Sequence, residues 1–279
     1  MERIEVGVLH PGEMGAAVGR QLTQAGIQGR WLPRGRGPQT QRRAADAGLE
    51  PVADLGELVA TCGVILSICP PAAAFEVAES VAATGFDGVY VDANAISPAR
   101  SRAIADLLGT ARVVDGGIVG PPPSDRGLST RLCLSGPAAH TRQIADLFAG
   151  TALTPMVLDG PVGRASALKL AFASYNKITF ALAAQAGALA AAHGVRDELQ
   201  TLASDVLPNT PLAQPSSPAN AAARAWRWAP EMREIADACA EVGIPAGIAD
   251  AAAALFDRWE RHRDDSDVPV ERLLDDLRG

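Results

Sequence analysis

The stretch Val6-Gly7-Val8-Leu9-His10-Pro11-Gly12-Glu13-Met14-Gly15 decides how the first half of the chain is read. A short apolar run with strand character gives way to glycines, which open an alanine-rich segment of helical composition. That setting can hold a pyrophosphate, because backbone N–H groups at a helix start face the phosphates and glycines stand where side chains would block close approach. Gly12 and Gly15 take the second and third glycine positions of a dinucleotide fingerprint, and His10 takes the first. The first position serves the tight turn, so His10-Pro11 must make the bend; proline fixes it but donates no N–H. On these residues alone, a nucleotide turn lined by His10 through Gly15 and a plain strand-to-helix turn both remain open.

The next strand narrows the choice. About 20 residues past Gly12, where an NAD site presents an acid to the ribose hydroxyl, the chain reads Trp31-Leu32-Pro33-Arg34-Gly35-Arg36. No carboxylate is there to repel a 2'-phosphate, and Arg34 and Arg36 can bind one through charge-assisted hydrogen bonds. Arg30, Arg34, Arg36, Arg42 and Arg43 crowd together in a chain of net charge -7. The competing reading is a solvated basic loop; the clustering favours a phosphate, and NADP(H) is expected over NAD(H).

Along the first half of the chain short apolar runs at residues 4–9, 63–68, 89–91, 112–114 and 132–134 alternate with amphipathic segments at 13–25, 39–47, 55–61, 72–83, 98–108 and 138–149. That order predicts an α/β fold, a Rossmann-like doubly wound parallel sheet with every strand's carboxyl end on one ligand-binding edge. Near Val162 the pattern changes. Residues 163–193 contain no proline and form one long interdomain helix, alanine-rich and apolar on more than one face, which predicts burial on several sides. An all-α remainder follows, so the expected domains are a cofactor-binding domain at 1–162 and a helical substrate and dimerisation domain at 163–279.

Composition excludes several classes. The acidic balance argues against general nucleic-acid affinity. No stretch reaches the roughly 18 unbroken apolar residues of a membrane span, and the chain enters a strand without a leader-like segment; a soluble, cytoplasmic protein is expected. Cys62, Cys69, Cys133 and Cys239 lack metal-ligand spacing and read as buried thiols, and the four histidines are dispersed, so no metal is expected. One bias is informative: of 25 basic residues only Lys169 and Lys177 are lysines. An amine, unlike a guanidinium, can lose its proton near neutral pH.

Taken in order, these segments resemble the 6-phosphogluconate dehydrogenase and β-hydroxyacid dehydrogenase superfamily. His10 through Gly15 is similar to its G-x-G-x-M-G opening, and Pro33-Arg34-Gly35 to the N-R-S/T of NADP-using members. Ser67-Ile68-Cys69-Pro70-Pro71 resembles the loop beside the nicotinamide ribose, and Asp92 through Pro98 the D-x-x-T-x-x-P segment, with Asn94 at the sheet's carboxyl edge. Gly163 through Lys169 resembles the G-x-G-x-x-x-K element carrying the catalytic lysine. Arg224 through Met232 is similar to a branch whose helical C-terminal domain has no assigned function. The resemblance implies a nicotinamide-dependent oxidoreductase, with Cys69, Pro70 and Asn94 beside the cofactor, Asn94 and Gly117 near the substrate, and a homodimer through the helical domain.

Three departures bear on the substrate. Val119 stands where the family serine would hold a carboxylate, Ala173 where an asparagine follows the lysine, and Ala95 replaces the threonine. Asn176, seven residues after Lys169 and sharing its helical face with Ser166, can partly replace the lost asparagine or serve packing. The expected function is NADP-dependent hydride transfer to or from a small polar hydroxy or carbonyl compound, with Lys169 as general acid/base. An imine reductase and an NADP-binding protein without turnover are the alternatives. The expected partners are a small-molecule substrate and a second copy of the chain, with neither nucleic acid nor membrane.

Overall fold

The computed structural model describes residues 4–124 and 130–278, apart from the Ala111 side chain. Two compact units divide the chain, one ending at Lys169 and the other beginning at Leu170.

In the first unit the elements run β1 (Val6–Leu9), α1 (Glu13–Gln24), β2 (Gly29–Trp31), α2 (Pro38–Asp46), β3 (Glu50–Pro51), α3 (Leu55–Thr61), β4 (Val64–Ser67), α4 (Ala74–Ala82), β5 (Val89–Asp92), α5 (Pro98–Leu108), β6 (Val113–Val119), β7 (Thr130–Ser135), α6 (Ala138–Leu147) and β8 (Leu153–Val157). The strands form one sheet in the order β3-β2-β1-β4-β5-β6-β7-β8. Alternation along each strand explains why helices cover both faces. Val6, Val8, Val64, Leu66, Val89 and Val91 pack with Leu22 of α1 and Phe148. Leu9, Ile65 and Tyr90 face the other way, against Leu58 of α3, Val81 of α4 and Ile104 of α5.

β1 pairs in parallel with both β2 and β4. Chain order therefore reverses at β1, and the crevice at its carboxyl end is where open α/β sheets bind ligands. The expectation of a wholly parallel sheet is corrected at β7, which runs antiparallel to β6, while β8 follows β7 in parallel. No helix intervenes between β6 and β7 among the described residues, and a parallel pair needs such a crossover.

The second unit is helical. α7 (Arg164–Ala192) is the long helix, and its residues from Leu170 onward belong here, followed by α8 (Arg196–Val206), α9 (Ser217–Ala222), α10 (Ala225–Glu241), α11 (Gly247–Asp257) and α12 (Val270–Asp276). Ala173, Ala181 and Ala184 of α7 join Ala229, Met232 and Ile235 of α10 and Ala252, Ala253 and Phe256 of α11 in one core. Phe180, Trp228, Phe256 and Trp259 pack in sequence, tilted or edge-to-face, at centroid separations of 5.3, 5.4 and 6.5 Å. Lys177 ion-pairs with the buried Glu231 and lies over Trp228, so the second lysine is structural. The expected burial of the long helix on several sides is corrected: Phe172, Tyr175, Leu182 and Leu189 are exposed. No described helix is long and apolar enough to cross a membrane.

Candidate active site

The turn after β1 bends at His10, whose φ of 64° is the left-handed region that glycine would enter freely. For an L-residue this costs about 1–2 kcal/mol. Gly12 N–H donates to the His10 carbonyl at 2.7 Å, closing the turn around Pro11. Gly15 is required by packing: a Cβ there would come within 2.6 Å of the His10 carbonyl oxygen. Gly12 has no such constraint, since its hypothetical Cβ meets only that oxygen at 4.0 Å. No side chain caps the N-terminus of α1, whose backbone donors suit an anion. Pro11 is buried, Met14 packs against the core and Glu13 is exposed.

His10 is half-buried, and its Nδ1 has no hydrogen-bond partner among the described residues. Burial first, and then the positive charge of Arg36, lower its pKa to about 4. Arg36 is also half-buried with an unpartnered Nε, and burial pulls its pKa down. It follows a turn in which Arg36 N–H donates to the Pro33 carbonyl at 3.0 Å and Gly35 takes a φ of 76°. Arg34, at the tip, is exposed. Arg30 leaves the basic cluster, because its guanidinium pairs with Glu5 and reaches Glu50 at 3.5 Å.

At the ends of β4 and β5 the side chains lock to one another. The Asn94 Oδ1 accepts the Cys69 N–H at 2.6 Å, and its Nδ2 donates to Ser67 Oγ at 3.1 Å and Asp92 Oδ1 at 2.6 Å. Asn94 is 2% exposed. Its amide braces the loop after β4 against the end of β5. Burial pushes the Cys69 thiol up to about 11, leaving it neutral; Pro70 precedes the short 3-10 turn Pro71–Ala73.

Asp115 is the residue whose role the sequence left unread. It is fully buried in β6, and its Oδ2 accepts from Ser135 Oγ at 2.9 Å, Gly163 N–H at 2.8 Å and Ser166 N–H at 3.0 Å. Its Oδ1 accepts from Ser166 Oγ at 2.5 Å. One carboxylate therefore satisfies orphan donors at the start of α7 and fixes that helix against β6. Two residues along, a Cβ on Gly117 would lie 2.9 Å from the Ala165 carbonyl oxygen and 3.0 Å from Lys169 Cβ. Glycine here lets the helix, and the stem of Lys169, lie directly on the strand. Lys169 is half-buried, and loss of hydration lowers its pKa to about 8, opposed by neighbouring Cys133. Asn176 lies in the second unit and is exposed. Among the described residues no group of three or more His, Cys, Asp or Glu side chains could hold a metal ion.

The sheet, its switch point at β1 and the long helix after β8 give the chain a fold similar to that of the β-hydroxyacid dehydrogenases. In particular, residues 190–259 match the model of a domain of unknown function, DUF1932. The chain is 26% identical over 196 residues, 70% of its length and 74% of the relative's, to an uncharacterized 28.5 kDa protein in the 7S RNA 5' region of Methanothermus fervidus. Among solved structures, Mycobacterium tuberculosis 3-hydroxyisobutyrate dehydrogenase with L-serine has a TM-score of 0.75 at 18% identity, over 99% of each chain. A conserved protein of unknown function, described as structurally similar to 3-hydroxyacid dehydrogenases, has a TM-score of 0.69 at 24% identity, over 97% of this chain and 99% of that one. A reductive aminase from Aspergillus terreus in complex with NADPH and ethyl levulinate has a TM-score of 0.58 at 18% identity, over 98% of each chain.

Proposed function

We propose that this protein is an NADP-dependent oxidoreductase acting on a small polar hydroxy or carbonyl compound, with Lys169 as general acid/base. The observation that carries this reading is the Lys169 amine, set on Gly117 by the grip of Asp115 on α7 and lowered to a pKa of about 8. A pKa near working pH lets one group serve both directions. In reduction the ammonium gives its proton to the substrate oxygen; in oxidation the neutral amine takes it back.

A dinucleotide fits the residues present. Space over Gly12 is open, and the buried Nδ1 of His10 and Nε of Arg36 lack partners among the described residues at the edge where such a ligand lies. The turn from Pro11 to Gly15 would hold the pyrophosphate, Arg34 and Arg36 a 2'-phosphate, and the Cys69-Pro70 loop, braced by Asn94, the nicotinamide side. The bound nicotinamide supplies or accepts the hydride. The binding of NADPH by the Aspergillus terreus reductive aminase supports this assignment.

In this reading the first domain is the cofactor domain and the helical one the substrate and dimerisation domain, with Gly117 and Asn176 as substrate contacts. Exposed Tyr175, Leu182 and Leu189, seven residues apart along α7, support a homodimer. The reductive aminase likeness favours imine reduction as the second reading, against which stands Lys169, where imine reductases generally carry aspartate or tyrosine. A panel of hydroxyacids, keto acids and cyclic imines, followed by NADPH absorbance, tests the function. Turnover of hydroxy or keto compounds is expected; turnover of imines alone would transfer the assignment to the second reading, and NADPH binding with no turnover would remove the enzyme.

A further inference from the structure

The position that a dinucleotide fingerprint reserves for glycine is held here by a histidine in left-handed conformation, with φ of 64°. A residue kept in an unfavourable conformation points to a task its side chain performs. That side chain ends in a buried nitrogen, Nδ1, which has no partner among the described residues, and the Arg36 guanidinium likewise presents an unpartnered Nε. Buried polar nitrogens are nearly always hydrogen-bonded, and two left over in the turns after the paired strands β1 and β2 suit a bound polar group. The two belong together: His10 directly follows β1, Arg36 follows β2, those strands pair in parallel, and the charge of Arg36 is felt at His10. Arg34, the residue at the position of the family arginine, is exposed at the tip of its turn.

We infer that His10 and Arg36 together form the subsite that distinguishes NADPH from NADH, binding the 2'-phosphate between an imidazole N–H and a guanidinium. This rests on the cofactor reading above and deepens it. The β2 side of β1 is where the adenosine ribose lies in such folds, which separates this contact from the pyrophosphate over Gly12. A neutral imidazole in its Nδ1-H tautomer donates one hydrogen bond, and the guanidinium donates Nε–H with charge. His10 thus makes the turn that a glycine would make more easily, and in exchange supplies a donor that glycine lacks.

Equilibrium titration of the full-length protein with NADPH, NADH and 2',5'-ADP, read by tryptophan fluorescence, tests the assignment with His10→Gly, Arg36→Leu and Arg34→Ala. His10→Gly is the decisive variant, since glycine fits the left-handed turn and the thermal midpoint should hold or rise. Each of His10→Gly and Arg36→Leu is expected to weaken NADPH and 2',5'-ADP about tenfold, the loss of one good hydrogen bond, and to leave NADH within about twofold; Arg34→Ala should have the smaller effect. Either variant retaining the wild-type preference overturns the inference, as does an equal loss for both dinucleotides, which moves the contact to the shared pyrophosphate. Wild-type protein that binds both dinucleotides equally removes the 2'-phosphate subsite but keeps the nucleotide turn. Wild-type protein that binds neither removes the cofactor reading itself.

Discussion

Asp92 shows how much of a site lies below the reach of sequence spacing. Its Oδ1 accepts the Asn94 backbone N–H at 3.1 Å and side-chain N–H at 2.6 Å, while Oδ2 has no partner among the described residues. Burial, and secondarily the charge of Asp115, raise its pKa from 3.8 to about 7. The folded pKa is the higher one, so the stability from holding this proton is complete below pH 3.8 and is lost as pH rises through about 7. Asp92→Asn keeps the acceptor and removes the buried charge. At pH 8 it should raise stability by on the order of 1–2 kcal/mol, flattening the decline in thermal midpoint between about pH 4 and 7; an unchanged decline would contradict the assignment. Lys169 makes a second expectation at this scale. Reductive turnover needs its protonated form and should fall as pH rises through about 8, with oxidative turnover rising over the same range. Lys169 was legible in composition, as one of two lysines. The bracing role of Asn94 was not, because the N–H it holds belongs to Cys69, 25 residues away; the bend at His10 was legible from the glycine position it fills, but its buried, unpartnered Nδ1 was not.

At the scale of elements, the start of α7 depends on one carboxylate. Asp115→Ala leaves Gly163 N–H, Ser166 N–H and two serine hydroxyls without their acceptor in a buried place. A loss of about 3 kcal/mol or more is expected. Asp115→Asn should cost less than half as much, because its oxygen still accepts the backbone N–H groups and its amide can donate to Ser166 Oγ. Equal thermal midpoints for the two variants would show that α7 is anchored elsewhere. The alternation of apolar runs and amphipathic segments made most of the first unit readable. What escaped has physical causes. β3 is two residues long and exposed, and β8 contains Pro155 with only Leu153 buried, so neither carries an apolar signature. β6 runs to Val119, well past the apolar run at 112–114, because Gly116 and Gly117 interrupt the strand pattern. A Cβ at Gly116 would lie 3.1 Å from the Asp92 carbonyl oxygen, so close packing fixed those residues rather than strand propensity.

For the whole molecule, the proposed dimer rests on the exposed face of α7 in the helical unit. Seven residues make nearly two turns of α-helix, so Tyr175, Leu182 and Leu189 line one face, and a sustained seven-residue apolar repeat is the pattern by which helices pack against partners. A second copy covering that face should give a particle of twice the chain mass in light scattering. Leu182→Glu should yield monomer without loss of the far-ultraviolet helical signal; a wild-type monomer at micromolar concentration would contradict the dimer. The alanine richness that marked α7 as a helix could not reveal which face stays bare, since the same small residues serve core and surface. Substrate identity was equally hidden, because Val119, Ala173 and Ala95 remove the polar groups by which it would be read. In the proposed function a bound nicotinamide and the Lys169 amine work as one unit. Lys169→Ala tests it most directly, compared with wild type for NADPH affinity and for turnover on the panel's best substrate. The expected result is a turnover reduced about 100- to 10,000-fold with NADPH affinity held within about twofold, whereas undiminished turnover would remove Lys169 as the general acid/base.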